Sequence, residues 1–132
     1  MPGWGAGSFE NEDAQNFLGR LNSLSIDDLR SILSRAADQS DYLEAPDAAT
    51  TVVAGEVVAS ARGKGAPLSV PREIADWISQ SPVALPSDFD DLARRAVERV
   101  RTNSELKDLW LEAEGLNEWS AALRDLEARL RP

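Results

Sequence analysis

The sequence contains neither cysteine nor histidine among its 132 residues. Without cysteine there can be no disulfides, thiolate metal ligands or cysteine nucleophiles. Without histidine, Ser–His and Cys–His catalysis and histidine-ligated zinc or iron sites are excluded as well. Acid–base chemistry would have to use Asp, Glu, Lys or the single Tyr42, and a metal would have to be held by oxygen alone. We therefore predict that the chain is not an enzyme and that it binds no cofactor and no metal.

The chain also lacks any apolar run close to the ~20 residues that a membrane-spanning helix needs. Its first residues lack the basic region and apolar stretch of a secretory signal. We expect a cytoplasmic protein that does not bind membranes. Apolar residues still make up 42% of the sequence, which is enough for a hydrophobic core. A chain of this length normally forms one domain, so we predict a single helical domain over residues 1–132.

Positive charge is scarce, and the net charge is −9. The imbalance lies mainly in residues 1–61, which hold ten acids against three arginines. An acidic surface repels phosphate backbones, so nucleic-acid binding is not expected. The excess of acids is explained by solubility or by a face for a basic partner. If there is a partner, we expect a protein with a basic surface; the sequence does not indicate the oligomeric state.

Apolar residues recur at helical spacing in most of the chain, and no segment has the alternation of a convincing strand. Asn11, Ser25, Ser87 and Ser104 precede four of these segments and are typical helix caps. We predict an all-α fold, an irregular bundle of about six to seven helices with a glycine-rich N-terminal lead packed on the core. The predicted helices cover approximately residues 11–21, 25–36, 47–61, 72–80, 87–100, 104–110 and 116–130.

The segment from Asp47 to Ala61 is apolar almost all round, which is typical of a helix buried on several sides. Its β-branched residues would also suit a strand, but its length and small-residue spacing favour a helix. Glu56 is the only charged residue between Thr50 and Ala61. A buried carboxylate needs partners. Glu56 is either a ligand or catalytic acid, or a structural acceptor that binds backbone N–H groups of the lead or an arginine, and we favour the structural interpretation.

The glycine-rich lead, residues 2–9, places glycines between two large aromatic residues. Such a segment before a helix could cradle a phosphate. That interpretation is disfavoured, because no lysine or arginine lies nearby and the helix opens with Glu12 and Asp13. We expect instead that Trp4 and Phe9 plug into the core while the glycines allow a tight turn.

The charged residues of the fifth predicted helix are interpreted as a solvated face. Arginines at 94, 95, 99 and 101 could suggest an anion site, but their spacing scatters them around the helix. Two pairs four residues apart, Asp90 with Arg94 and Asp91 with Arg95, are predicted to stabilise it. Acidic clusters, including Asp38 with Asp41, are interpreted as helix starts and caps.

The run Gly3-Trp4-Gly5-Ala6-Gly7-Ser8-Phe9-Glu10-Asn11 resembles the opening of a family of short, mainly bacterial proteins known as domain of unknown function 4259. The resemblance continues in the segments 56–59 and 104–110 and in Trp119 with the leucines that follow it. It implies a small helical protein and brings no assigned activity.

Together these patterns define one set of candidate binding or structural residues, which we call the N-terminal hub. Its members are Trp4, Gly5, Gly7, Phe9, Asn11, Asp13, Glu56 and Trp110. The favoured function is a protein-interaction module of a partner-neutralising or immunity-like kind. The alternative is a small-ligand or metal-binding helical domain centred on the Gly/Trp motif and Glu56.

Overall fold

The computed structural model describes residues 3, 5–65, 70–81 and 84–131, and every regular element within them is a helix. The prediction of an all-α bundle with six to seven helices is confirmed. The elements in chain order are α1 (Glu12–Gly19), a 3-10 turn (Leu21–Ser23), α2 (Ile26–Asp38), α3 (Ala45–Ala61), α4 (Arg72–Gln80), α5 (Phe89–Thr102), α6 (Glu105–Glu112) and α7 (Leu116–Arg129).

Three of the four predicted caps start the helices where expected. The Asn11 side chain accepts a hydrogen bond from the Ala14 N–H at 2.8 Å at the start of α1. Ser25 and Asp28 form a reciprocal capping box at the start of α2. The Ser104 hydroxyl accepts from the backbone N–H three residues later and starts α6. These local bonds satisfy N–H groups that a helix cannot satisfy internally.

The predicted cap at Ser87 is wrong, because α5 begins at Phe89 and Asp88 occupies the N-cap position. Asp88 makes no capping bond there. Its carboxylate instead receives two hydrogen bonds from Arg30 on α2, at 2.7 and 3.0 Å. The Arg30 guanidinium also lies over the Phe89 ring, 4.5 Å from its centre. The Asp88 side chain therefore binds α2 and does not cap α5.

The buried segment of the sequence is α3, and it is a helix at the centre of the bundle. It begins at Ala45 rather than near Asp47, because Pro46 is well tolerated in the first turn of a helix. Within the described residues, α3 contacts each of the six other α-helices. Gly55 lets two of them approach closely, since a Cβ there would lie 2.8 Å from a Val97 methyl on α5 and 3.4 Å from a Leu126 methyl on α7.

The described part of the glycine-rich lead packs on this core, as predicted. Ala6 and Phe9 are partly buried against the cluster of buried side chains. The hydroxyl of Ser8 reaches Glu56 on α3. No helix within the described residues combines the length and apolar character that crossing a bilayer requires.

Candidate functional site

Glu56, the only buried charged residue of α3, forms a two-point ion pair with Arg129 on the last turn of α7. Arg129 Nη1 lies 2.8 Å from Oε1 of Glu56, and Nη2 lies 3.1 Å from Oε2. The two side chains are 3% and 16% exposed. Two parallel N–H···O bonds are the strong geometry for an arginine and a carboxylate. The predicted pairing of Glu56 with an arginine is confirmed.

The lead contributes to this cluster through a hydroxyl. Ser8 Oγ donates to Oε2 of Glu56 at 2.6 Å, whereas backbone N–H groups of the lead had been expected as donors. Arg129 also donates to Asp125 and to the carbonyl of Lys64. Burial pulls the pKa of Arg129 down, but its bonds to Glu56 and Asp125 outweigh burial and raise that pKa above its ordinary value. Both oxygens of Glu56 are therefore occupied by protein groups.

The glycines of the lead wrap around the carboxylate of Glu10. The Gly7 N–H donates to Oε1 of Glu10 at 3.0 Å. A Cβ at Gly5 would lie 2.2 Å from Oε2 of Glu10, and a Cβ at Gly7 would lie 2.5 Å from Oε1. An added Cβ at either glycine would displace the exposed end of the Glu10 side chain. A buried tryptophan at position 4 was also predicted, but Trp4 lies outside the described residues.

The other hub residues have separate positions. Phe9 packs on the core, Asn11 caps α1, and Asp13 lies half-buried in the first turn of α1. Trp110 is buried in α6, where its ring lies against Gly115; a Cβ on that glycine would be 2.7 Å from the indole. Within the described residues α6 contacts α3, α5 and α7 but not α1. The Trp110 ring therefore packs at the turn between α6 and α7.

Of the two pairs predicted in α5, Asp91 with Arg95 is confirmed and Asp90 with Arg94 is wrong. Asp91 binds both Arg94 and Arg95, at 2.6 and 3.0 Å. Asp90 does not bind Arg94; its carboxylate pairs with Arg62 at 2.8 Å. The two arginine contacts hold the pKa of Asp91 below its ordinary value.

Arg99 is not part of a solvated face. Its guanidinium donates to the backbone carbonyls of Ala36, Gln39 and Asp41, just at and beyond the end of α2. Those carbonyls have no partner within the helix. Arg99 thus fixes the segment that leads into α3.

A notch of about 290 Å³ lies between the end of α2 and the start of α3. We call it the acidic notch, because it is lined by Asp41, Glu44 and Asp47 together with Tyr42, and by Arg35 as the one cation. Asp41 had been interpreted as a helix start or cap. That is wrong, because α2 ends at Asp38 and the Asp41 side chain lines the notch.

Tyr42 is the exposed aromatic residue of the notch, with 58% of its surface accessible. Its hydroxyl donates to Oδ2 of Asp108 on α6 at 3.1 Å. Partial desolvation, this hydrogen bond and repulsion from Asp108, Glu105 and Glu112 raise the pKa of Tyr42 above its ordinary value. Desolvation is the largest of these effects, and the three carboxylates of α6 add a negative field at Tyr42.

The notch segment is held rigidly to α6. The Ala45 N–H donates to the carboxylate of Glu105 at 2.8 Å, and the Glu105 N–H donates to the carbonyl of Leu43 at 2.9 Å. Together with Arg99, these bonds fix the backbone on both sides of Tyr42. Among the described residues, no group of three acidic side chains converges closely enough to hold a metal ion.

The comparison with family models decides the classification. The model described as "Domain of unknown function (DUF4259)" matches residues 3–122. The chain belongs to this family. The match covers most of the DUF4259 chain, including the lead, α3 and the Trp110 turn, and it ends before Arg129. No match was found among curated proteins or among solved structures.

The acidic notch of this DUF4259 protein was missed by sequence reasoning. Its carboxylates look like any solvated acids in a loop, and only the fold places α6 behind them. One usable signal was the lone tyrosine in the acid-rich stretch Asp41-Tyr42-Leu43-Glu44. A large amphipathic side chain among charges in a loop is a typical binding feature.

Proposed function

We propose that the chain is a protein-interaction module whose acidic notch binds a basic segment of a partner protein. One observation carries the proposal. Asp41, Glu44 and Asp47 line one concave surface and make no ion pair with any residue that the structure describes. Many other acids, such as Asp88 and Asp91, are already paired with arginines. The notch therefore keeps a net negative charge for an incoming cation.

Tyr42 supports a protein partner. Tyrosine is enriched at interfaces because it offers a large rigid surface with a polar tip. Here more than half of the side chain is accessible beside the three carboxylates. A lysine or arginine from the partner would meet both an aromatic face and a carboxylate, which together favour a cation.

Preorganisation of the notch also favours this function. The bonds from Arg99 and Glu105 already fix the backbone around Tyr42. A surface that is rigid before binding loses less conformational entropy when the partner arrives. A module that acts by occupying or neutralising its partner needs affinity and no catalytic group. This fits a chain without histidine or cysteine.

The test compares two variants of equal net charge. Asp41→Lys/Glu44→Lys reverses two notch acids whose side chains make no hydrogen bond within the described residues. Asp27→Lys/Asp76→Lys reverses two exposed acids on α2 and α4 that lie outside the notch. Binding of fluorescein-labelled hexalysine is measured by anisotropy at low salt. We expect the notch variant to bind at least about tenfold more weakly, and the control to bind nearly as tightly as the parent.

Equal loss in both variants would mean that only net charge matters, and the notch proposal would be wrong. The same pair of variants then serves for affinity capture from a native lysate. A protein that is retained by the parent and by the control, but not by the notch variant, is the expected partner. A protein retained equally by all three binds elsewhere.

A further inference from the structure

A second concave surface carries the opposite charge. A groove of about 580 Å³ lies between the end of α5, the first turns of α6 and the first half of α7. The charged side chains that line it are Arg101, Lys107 and Arg124, with Thr102, Asn117 and Ser120 as neutral polar groups. No acidic residue lines it, although the chain carries a net charge of −9. We call this surface the basic groove.

The cations of the basic groove are only partly neutralised. Arg101 makes a two-point pair with Glu127, with distances of 2.6 and 3.1 Å. Lys107 and Arg124 form no ion pair with the residues that the structure describes. Among the lining side chains and Glu127, positive charges exceed negative ones by two; Glu98, which also attracts Arg101, is itself paired with Arg94. Glu127 also fixes the orientation of the Arg101 guanidinium through Nε and Nη2, so that the remaining N–H groups are held in place.

Helix α6 separates the two charged surfaces. Glu105 binds the backbone N–H of Ala45, and Asp108 accepts from Tyr42, so both acids belong to the side of the acidic notch. Lys107 lies between them in sequence but lines the basic groove. The acidic and basic side chains of α6 thus lie on different faces of the helix. The groove keeps its positive field instead of losing it to neighbouring acids.

The first turn of α7 adds donors to the groove. Asn117 lies in this turn, and Gly115 at the N-cap provides no side-chain cap. The first N–H groups of a helix have no partner within the helix, and the helix dipole favours an anion near them. The groove therefore combines three cationic side chains with hydroxyls and an amide, beside a start of α7 that has no side-chain cap and carries one acid, Glu118.

We propose that the basic groove binds the phosphate group of a small phosphorylated molecule. A phosphate monoester carries close to two negative charges at neutral pH, which matches the local excess of two, whereas one carboxylate would neutralise half of it. Guanidinium forks and hydroxyl donors suit the geometry of phosphate oxygens. The volume lies in the range of small-molecule sites, about 300–1,000 Å³. This site is separate from the acidic notch, and its test does not depend on the partner proposed there.

The first experiment is a titration of the ¹⁵N-labelled protein with sodium phosphate, compared with sodium chloride at equal ionic strength. We expect saturable amide shifts at Lys107, Asn117 and Ser120 with phosphate and none with chloride. The variant Lys107→Gln/Arg124→Gln should bind phosphate at least about tenfold more weakly. The control Arg20→Gln/Arg72→Gln removes two exposed cations outside the groove and should bind as the parent does. Absence of saturation, or equal weakening in both variants, would overturn the proposal.

A second set of probes identifies the source of the anion. Phenyl phosphate should bind at least as tightly as inorganic phosphate, because the groove has room beyond one phosphate group. Hexaglutamate and a single-stranded 12-mer oligonucleotide are the competing probes. If either of them shifts the groove amides at lower concentration than phenyl phosphate does, the groove serves a macromolecule and the small-molecule proposal is wrong.

Discussion

Arg129 and Glu56 are 73 residues apart in sequence and form a two-point ion pair between the last helix and the centre of the bundle. The pair joins α7 to α3, and Ser8 joins the N-terminal lead to the same carboxylate. Ser8 of the lead and Arg129 of α7 are thus tied to one buried charge. A buried carboxylate is costly unless it is paired, so each of these contacts depends on the others.

We expect Glu56→Gln to lower the free energy of unfolding by about 3 kcal/mol, because it leaves Arg129 without its buried counter-charge. Asp125→Asn is the matched control, since Asp125 binds the same arginine but is 53% exposed. Its loss should cost less than about 1 kcal/mol. Urea titrations of both variants measure the difference. Similar midpoints for the two would show that Glu56 is no more structural than a surface acid.

A second prediction concerns the two glycines within helices. Gly55→Ala should destabilise the protein by about 1–2 kcal/mol, because the added methyl would lie 2.8 Å from Val97 in a closely packed core. The steric cost exceeds the roughly 1 kcal/mol by which alanine favours a helix over glycine, so the net change is a loss of stability. Gly19→Ala meets nothing within 4 Å and should be neutral or stabilising by up to about 1 kcal/mol. The melting temperature should therefore fall for Gly55→Ala and stay unchanged or rise for Gly19→Ala.

The helix positions could be predicted because their signals are local. Asn11, Ser25 and Ser104 each accept from an N–H group three residues later, so sequence spacing is sufficient to locate them. Ser87 failed for the opposite reason. The start of α5 depends on Asp88, whose carboxylate is taken by Arg30 on another helix 58 residues earlier. No pattern in the neighbouring sequence predicts this contact between Asp88 and Arg30.

The candidate sites show the same division. The apolar neighbours of Glu56 in the sequence predict that it needs a partner. The sequence does not predict that this partner is Arg129 at the end of α7. The acidic notch and the basic groove are assembled from two or three helices each. In the sequence, their residues cannot be distinguished from ordinary surface charges. Only the fold brings each set together on one surface.

A third prediction distinguishes the arginines of α5. Arg99→Met should cost about 2 kcal/mol, because it leaves the carbonyls of Ala36 and Gln39 without their donor. Arg95 lies one turn earlier and pairs only with the exposed acids Asp38 and Asp91. Arg95→Met should cost less than about 1 kcal/mol. Equal unfolding midpoints in urea would contradict the role assigned to Arg99 at the end of α2.

The last prediction uses Tyr42 as a probe of the acidic notch. It is the only tyrosine, so its ionisation can be followed by tyrosinate absorbance near 295 nm. We expect a pKa above the ordinary value of about 10, because the phenol is partly desolvated, donates a hydrogen bond to Asp108 and, once ionised, would be repelled by the carboxylates of α6. Asp108→Asn should lower this pKa, whereas Asp76→Asn on α4 should leave it unchanged.

The sign of the linked stability follows from the same shift. Because the pKa of Tyr42 is higher in the folded state than in the unfolded state, its contribution to stability is complete below about pH 10. That contribution is lost as pH rises through the folded-state value. Hexaarginine bound at the notch should lower the pKa of Tyr42, because its guanidinium groups stay protonated above about pH 10 and added positive charge favours the phenolate. If neither Asp108→Asn nor hexaarginine changes this pKa, the carboxylates of α6 do not act on Tyr42, and the proposal loses its electrostatic support.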